Sequence, residues 1–234
     1  MKEKIRKVIK YFRWYELALW ATSITLILVS FFLFDRVQYL TLTASLIGTT
    51  SLTFNAKGNP IGQVLIIIFG LIYGYISFGC AYYGEMFTYV GMSVPMAVLA
   101  LISWLRNPFA GKRSEVRINR IRPRELPIMA FLTVGVTVGF FFILRALGTA
   151  NLLISTVSVT TSFAAVYLTF RRSPFFALAY AFNDIVLIVL WSIASVNVTD
   201  YLSVIICFAT FLVNDLYTFI NWLRIERRQR GPLR

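Results

Sequence analysis

The sequence predicts an all-α integral membrane protein with eight transmembrane helices. Of its 234 residues, 58% are hydrophobic and only 14% are charged, whereas a soluble domain carries about 25% charged residues. A membrane-spanning helix needs about 20 apolar residues. Eight stretches have this character, and each is too long and continuous for a transmembrane β-strand. They cover residues 14–34, 37–54, 61–83, 86–105, 126–147, 150–170, 174–196 and 200–223.

The basic N-terminal segment and the first apolar stretch follow each other as in a secretory signal peptide. The apolar part is long enough to span a membrane, and no small-residue cleavage pattern follows it. We therefore expect a retained first helix within residues 1–36.

The placement of positive charge predicts the topology. The formal net charge is +13, and with eight spans all but two of the 23 lysines and arginines fall on the side of both termini. Cytoplasmic loops carry such an excess of basic residues, so both termini are predicted to be cytoplasmic. Anionic lipid headgroups attract basic segments, which accounts for the charge without a nucleic-acid partner.

Short sequence markers recur in the same order in the two halves of the chain. Glu85 and Asp200 also each lie where the last span of a half begins. Tripeptides recur by chance in a sequence this rich in Leu, Thr and Phe, but the shared order favours an internal duplication. The markers are LTFNAKGNP (residues 52–60) and LTFRRSP (168–174) before spans 3 and 7, and WLRNP (104–108) and WLRIE (222–226) after spans 4 and 8.

The duplication divides the chain into two three-helix units, residues 37–106 and 150–224. A basic loop and a linking helix in residues 107–149 join them. Because three helices plus one linking helix restore the original orientation, the units are predicted to be parallel, as in transporters whose substrate sites lie near the membrane midplane. Residues 1–36 add an extra helix to this bundle, and residues 225–234 form a basic tail.

Residues that the sequence lacks disfavour several function classes. Histidine is absent, which removes the commonest general base and metal ligand. Two cysteines alone do not favour a transition-metal site, and the sequence contains no glycine-rich phosphate loop. We therefore expect a protein that is not an enzyme and that uses neither a metal nor a cofactor.

Two aspartates inside apolar stretches are the first candidate functional residues. Asp184 lies in span 7 and Asp215 in span 8, and an ionisable group at membrane depth costs at least ~2.5 kcal/mol. Tyr180 and Trp191 are predicted to lie on the same helical face as Asp184. Glu16, in contrast, lies at the end of span 1, where we expect water to reach it.

The polar and aromatic candidates also have structural explanations. Asn183 and Asn214 are equally consistent with hydrogen bonds that hold helices together, and Asp184 could serve one of them as a structural partner. Trp104 and Trp222 directly precede Leu-Arg at the cytoplasmic helix ends, which favours interfacial belt residues. Asp215 is near enough to that interface for a wetted structural role.

Alignment of the two units on the prolines that begin spans 3 and 7 predicts an asymmetric site. Phe69 aligns with Asn183 and Gly70 aligns with Asp184, so the first unit supplies no acid opposite Asp184. Aromatic faces attract cations, while amides and carboxylates bond hydroxyl groups. Such a site suits a ligand with a flat, cationic ring and several hydroxyls. The candidates from the first unit are Gln63 and Tyr73.

With these features the chain resembles the PnuC family of bacterial vitamin transporters, over roughly residues 38–226. The resemblance implies a parallel 3+1+3 bundle related to the SWEET fold, in a bacterial cytoplasmic (inner) membrane. It also implies uptake of nicotinamide riboside by facilitated diffusion, driven by phosphorylation in the cytoplasm, and a homotrimer. The segments that carry the resemblance are RRSPFFALAYAFNDIVLIVLW, LVNDLYTFINWLR and YGYISFGCAYYGEMFTYVGMSVPMAVLALISWLR.

One position departs from the pattern of this family. Its central site uses a Trp, three residues and an Asn in span 7; Asn183 fits the Asn, but Ala179 stands at the Trp position. Tyr180 or Trp191 could supply the missing ring from the same helix. The resemblance assigns no role to Asp184.

The leading hypothesis is a transporter for nicotinamide riboside or a related vitamin or nucleoside. Its substrate-binding residues are predicted to be Asn183, Asp184, Tyr180, Trp191, Gln63, Tyr73, Asn214 and Asp215. A second hypothesis is a proton-coupled exporter or antiporter in which Asp184 and Asp215 form a relay. A third is a membrane interaction subunit that transports nothing.

Overall fold

Eight long helices form a bundle in the computed structural model, which describes residues 11–79, 86–149, 151–195 and 202–231. The helices are α1 (Trp14–Ser30), α2 (Tyr39–Ala56), α3 (Ile61–Gly79), α4 (Phe87–Arg106), α5 (Leu126–Ala146), α6 (Leu152–Phe170), α7 (Phe175–Ser195) and α8 (Leu202–Arg230). A π-helical turn, Phe31–Asp35, extends α1, and another, Phe87–Ser93, begins α4. Glu85 and Asp200, two of the predicted repeat markers, lie outside the described residues.

Seven of the described helices are long and apolar enough to cross a membrane. The exception is α2, whose sequence is rich in Thr and Ser and which packs against α1, α3 and α8. Several of these hydroxyls donate to carbonyls of the preceding helical turn, as Ser45 does to Thr41 and Thr50 does to Leu46. Such bonds satisfy a buried hydroxyl within its own helix. The predicted all-helical membrane class is therefore confirmed, with α2 as a more polar eighth helix.

The loop after α4 packs on one end of the bundle. It contains a short antiparallel ladder of β1 (Pro108–Phe109) and β2 (Lys112–Val116). Gln229 of α8 donates to the Val116 carbonyl at 3.0 Å, and Arg120 pairs with Glu226 at 2.6 Å. We call this end, which includes the loop 107–125 and the last turns of α2, α4, α6 and α8, the basic end.

Glu16 is buried, so the expectation that water reaches it is wrong. Its side chain is 3% exposed and accepts hydrogen bonds from Lys57 Nζ at 2.9 Å and from the Tyr217 hydroxyl at 2.7 Å. The Arg13 backbone N–H also donates to it, at 2.7 Å. Because a buried carboxylate is tolerated only when it is paired and hydrogen-bonded, these contacts fix the start of α1 against α2 and α8.

Trp104 and Trp222 are fully buried, so the interpretation as interfacial belt residues is also wrong. They are 1% and 0% exposed, and their ring centroids lie 5.4 Å apart. Trp104 Nε1 donates to the Thr169 carbonyl at 3.0 Å, and Trp222 Nε1 donates to the Asn55 carbonyl at 2.8 Å. Each indole therefore connects the end of its own helix to the end of a helix from the other half of the chain.

We expect Trp222→Phe to destabilise the protein by about 1–3 kcal/mol, because it removes a buried hydrogen bond and part of a packed ring. Trp104→Phe should have an effect of similar size. Thermal unfolding of the purified protein in detergent measures both changes. The matched control is Trp14→Phe, since Trp14 is 79% exposed. Equal unfolding midpoints for Trp222→Phe and Trp14→Phe would show that the buried contact does not stabilise the bundle.

Candidate functional site

A cavity of about 440 Å³ lies inside the bundle. Every described helix except α1 contributes to its lining. The volume falls within the range typical of small-molecule sites, which is about 300–1,000 Å³. The extra N-terminal helix therefore supports the bundle from outside, while the other seven helices shape the cavity.

The cavity extends along much of the bundle. Its lining reaches Thr149 and Asn151, between α5 and α6, and at the basic end it reaches Asn55 and Phe176. The ring of Phe176 packs edge-on against Trp222, with centroids 4.7 Å apart. Phe176 thus forms the floor of the cavity and rests on the buried tryptophan pair.

Asn183 lies in the middle of α7 and is held by hydroxyl groups of α6. Its Oδ1 atom accepts hydrogen bonds from Thr161 at 2.8 Å, Ser162 at 3.0 Å and Ser158 at 3.3 Å. The side chain is 6% exposed and lines the cavity. Because three donors already occupy the amide oxygen, the amide Nδ2 group is the part of Asn183 that remains for a ligand.

Asp184 of α7 and Asp215 of α8 meet in the wall of the cavity. Their carboxyl groups lie within hydrogen-bonding contact of each other, and the two residues are 4% and 2% exposed. Asp184 Oδ2 and Asp215 Oδ1 have no hydrogen-bond partner in the described part of the chain. The contact brings together the two acids that the sequence placed on different helices.

Aromatic rings from α3 and α4 form another wall. Tyr73 packs against Phe69 and Tyr89, with centroid distances of 5.2 and 4.9 Å, and all three line the cavity. Tyr180 and Trp191 of α7 line it as well. The cavity therefore combines flat apolar surfaces with the amide and carboxyl groups of α7 and α8.

Two of the predicted binding residues bond to protein groups beside the cavity. Gln63 Nε2 donates to Asn55 Oδ1 at 2.9 Å, and Asn55 itself lines the cavity. Asn214 Nδ2 donates to Ser23 Oγ of α1 at 2.9 Å and to the Thr210 carbonyl at 2.8 Å. Gln63 and Asn214 thus support neighbouring residues instead of contributing to the described lining.

The structure places both Ala179, which stands at the Trp position of the family pattern, and the residues that differ between the two aligned units. Ala179 packs against the cluster that contains Trp104, Phe176 and Trp222, while its neighbour Tyr180 faces the cavity. The alignment of the two units pairs Phe69 with Asn183 and Gly70 with Asp184. All four residues line the cavity, at the positions where the sequence predicts an asymmetric site.

Sequence reasoning missed the polar stripe on α6. Ser155, Ser158 and Ser162 follow each other at positions i, i+3 and i+7, which is the spacing of one helical face, and all three line the cavity. Thr161 completes the set of hydroxyls that bond Asn183. The segment STVSVTTSF contains this spacing. Because Ser and Thr are common in membrane helices, the spacing alone does not indicate a binding site.

Two related proteins and a solved structure match this chain over most of its length. The chain is 27% identical over 220 residues to the nicotinamide riboside transporter PnuC of Neisseria mucosa, covering 92% of this chain and 83% of that protein. It is 22% identical over 197 residues to the same transporter of Haemophilus influenzae, covering 82% of each protein. The crystal structure of a vitamin B3 transporter PnuC matches with a TM-score of 0.79 and 22% identity, over 93% of this chain and 94% of that one.

A family model described as nicotinamide mononucleotide transporter matches residues 38–224. The match begins just before α2 and ends within α8, so it contains all the helices that line the cavity and leaves out α1. The resemblance inferred from the sequence is therefore confirmed, and the chain belongs to the nicotinamide mononucleotide transporter family of membrane transporters.

Proposed function

We propose that the protein carries nicotinamide riboside, or a closely related vitamin or nucleoside, across the bacterial cytoplasmic membrane by facilitated diffusion. The observation that supports this most is the intramembrane cavity, which joins aromatic walls to an amide and two carboxyl groups. Flat rings stack on aromatic side chains, and ribose hydroxyls bond amides and carboxylates. The names of the two related proteins agree with this substrate class.

We also propose that the bundle consists of two parallel three-helix units, with α5 as the link and α2 counted as an eighth span. The reciprocal hydrogen bonds of Trp104 and Trp222 support this arrangement, since each joins the last helix of one unit to the first helix of the other. The excess of basic residues at one end supports a cytoplasmic position for both termini. The assembly into a homotrimer rests on the family resemblance.

In this proposal Asn183 binds the ligand as a donor. Its oxygen is already held by the hydroxyls of α6, so Nδ2 would donate to a ribose or carboxamide oxygen. Tyr73 would contact one face of the base, and Tyr180 and Trp191 would supply flat surfaces from α7, where Ala179 provides none. Asp184, with Asp215 in contact with it, would offset the positive charge of the ring.

Gln63 and Asn214 would act one residue away from the ligand. Gln63 fixes the side-chain oxygen of Asn55, so it would orient the Asn55 amide at the basic end of the cavity. Asn214 joins α8 to Ser23 of α1, so it would hold the helix that carries Asp215. Loss of either amide is expected to change affinity through these neighbours.

Asn183→Ala should weaken nicotinamide riboside binding by roughly tenfold, because it removes one hydrogen bond in a site shielded from water. Isothermal titration calorimetry of the purified protein measures the affinity. The matched control is Asn119→Ala: it removes the same amide from the loop at the basic end, where Asn119 bonds the Arg171 carbonyl. We expect the control to bind as the wild type does.

Three outcomes would contradict the proposal. If the wild type shows no saturable binding of nicotinamide riboside, thiamine or riboflavin, the vitamin substrate is wrong. If Asn183→Ala and Asn119→Ala bind equally well, Asn183 does not contact the ligand. If Asn183→Ala changes the assembly state and leaves uptake unaltered, the residue belongs to an interaction surface.

A proton-coupled exporter is the second candidate function, because two carboxyl groups in contact, Asp184 and Asp215, could pass a proton between them. A relay across the membrane needs further titratable groups that lead to each side, and the described lining contains no other carboxyl group. We therefore expect uptake into proteoliposomes to persist when nigericin collapses the pH gradient in symmetric potassium. Uptake that stops under these conditions, with the vesicles intact, would favour proton coupling.

A further inference from the structure

The charges that line the cavity are unbalanced. Asp184 and Asp215 contribute two carboxyl groups, whereas none of the described lining residues is a lysine or an arginine. The other buried carboxylates in the described part of the chain have basic partners: Glu16 is paired with Lys57, and Glu226 is paired with Arg120. The two aspartates have only each other, so the protein itself supplies no positive charge to neutralise them at this site.

Two buried carboxyl groups in contact carry at most one negative charge between them. Two negative charges in direct contact repel strongly in a site of low dielectric constant, and a proton shared by the two carboxyl groups removes that repulsion. The shared proton uses one oxygen of each group. The two oxygens without partners, Asp184 Oδ2 and Asp215 Oδ1, are then left as acceptors in the wall of the cavity.

The arrangement favours an organic cation over a metal ion. Among the described residues no group of three or more His, Cys, Asp or Glu side chains is placed to hold a metal. The lining also contains aromatic rings from α3 and α4, with Tyr73 packed against Phe69 and Tyr89. Aromatic faces attract organic cations, so one wall offers a flat surface and the other offers the counter-charge.

We propose that Asp184 and Asp215 act together as a proton-bridged counter-ion of single negative charge, which selects ligands that carry one positive charge. This inference rests on the proposed function, because nicotinamide riboside has one fixed positive charge on its pyridinium ring. The ring charge would be balanced without release of the shared proton. Neither aspartate alone is the selecting group, since the pair provides only one charge.

The pair sets the direction of the pH dependence. When the pH falls far enough for the pair to bind a second proton, its negative charge is lost, so affinity for a cation falls with falling pH by up to about tenfold per unit. The other titratable groups around it are Tyr73 of α3, Tyr89 of α4, and Tyr180 and Cys207 of α7 and α8. The ordinary pKa values of tyrosine and cysteine side chains are about 10 and 8.5, above the pH range of the test.

The charged groups on α1 and α5 do not belong to the surroundings of the aspartate pair. Glu16 of α1 is paired with Lys57 and bonded by Tyr217 of α8. Arg145 at the end of α5 is exposed and lies outside the described lining. The residues of α2 and α6 that line the cavity carry no titratable side chain. The expected pH dependence therefore belongs to the aspartate pair.

The test compares nicotinamide riboside with its reduced form, in which the dihydropyridine ring has the same substituents and no charge. Isothermal titration calorimetry on the full-length protein should show at least about tenfold tighter binding of the cation at pH 7.5. Affinity for the cation should fall as the pH is lowered to about 5, while affinity for the uncharged form should remain constant.

Isosteric variants distinguish a charge that the pair shares from a charge that one aspartate carries alone. Asp184→Asn and Asp215→Asn should each keep the preference for the cation, because an amide replaces the bridging proton and one carboxylate remains. The double variant Asp184→Asn/Asp215→Asn should bind the two ligands with equal affinity. Thermal unfolding checks that each variant is folded.

The outcomes separate this inference from the proposed function. If the wild type does not bind nicotinamide riboside at all, the proposed function fails. If it binds both forms equally at every pH, or if the folded double variant keeps the preference, the counter-ion proposal is overturned and the transport proposal stands. If either single variant loses the preference completely, the replaced aspartate carries the charge alone and the shared charge is disproved. The comparison of ligands on the wild type decides the matter even where a variant fails to fold.

Discussion

Two buried tryptophans hold together the end of the bundle on which the cavity rests. Trp104 comes from α4 and Trp222 from α8, and each indole N–H bonds a carbonyl in the last turn of a helix from the other half of the chain. With the rings in contact, four helix ends meet in one hydrogen-bonded aromatic cluster. Membrane helices gain little from hydrophobic association, so packing and interhelical hydrogen bonds of this kind decide how they are arranged.

The same cluster sets the shape of the cavity. The ring of Phe176 packs edge-on against Trp222, and Phe176 also lines the cavity. Asn55 connects the two regions more directly, because its backbone oxygen accepts from Trp222 while its side-chain oxygen accepts from Gln63. A shift of the tryptophan pair would therefore move both the floor of the cavity and one of its amides.

Hydropathy, charge and repeated markers are sufficient to predict the helices from the sequence. The contacts between helices can be predicted from it only in part. The face of Asp184 with Tyr180 was predictable because helical spacing is periodic. Glu16 and Trp104 were misjudged because both lie near the ends of apolar stretches, where sequence position suggests water or lipid headgroups. Their burial arises from residues distant in sequence, as with Glu16 and Tyr217. Such contacts depend on how the helices pack against each other, and local sequence patterns do not predict this packing.

The asymmetry between the two halves has a steric cause. Gly70 stands at the position that corresponds to Asp184, and a Cβ atom there would lie 2.7 Å from Val94 Cγ2. Real Cβ atoms do not approach so closely, so the packing of α3 on α4 excludes an acid from that position. The first unit consequently presents the flat ring of Phe69 where the second presents Asn183. A ligand in this cavity would therefore meet the ring of Phe69 from the first unit and the amide of Asn183 from the second, so the two halves of the chain offer it different chemistry.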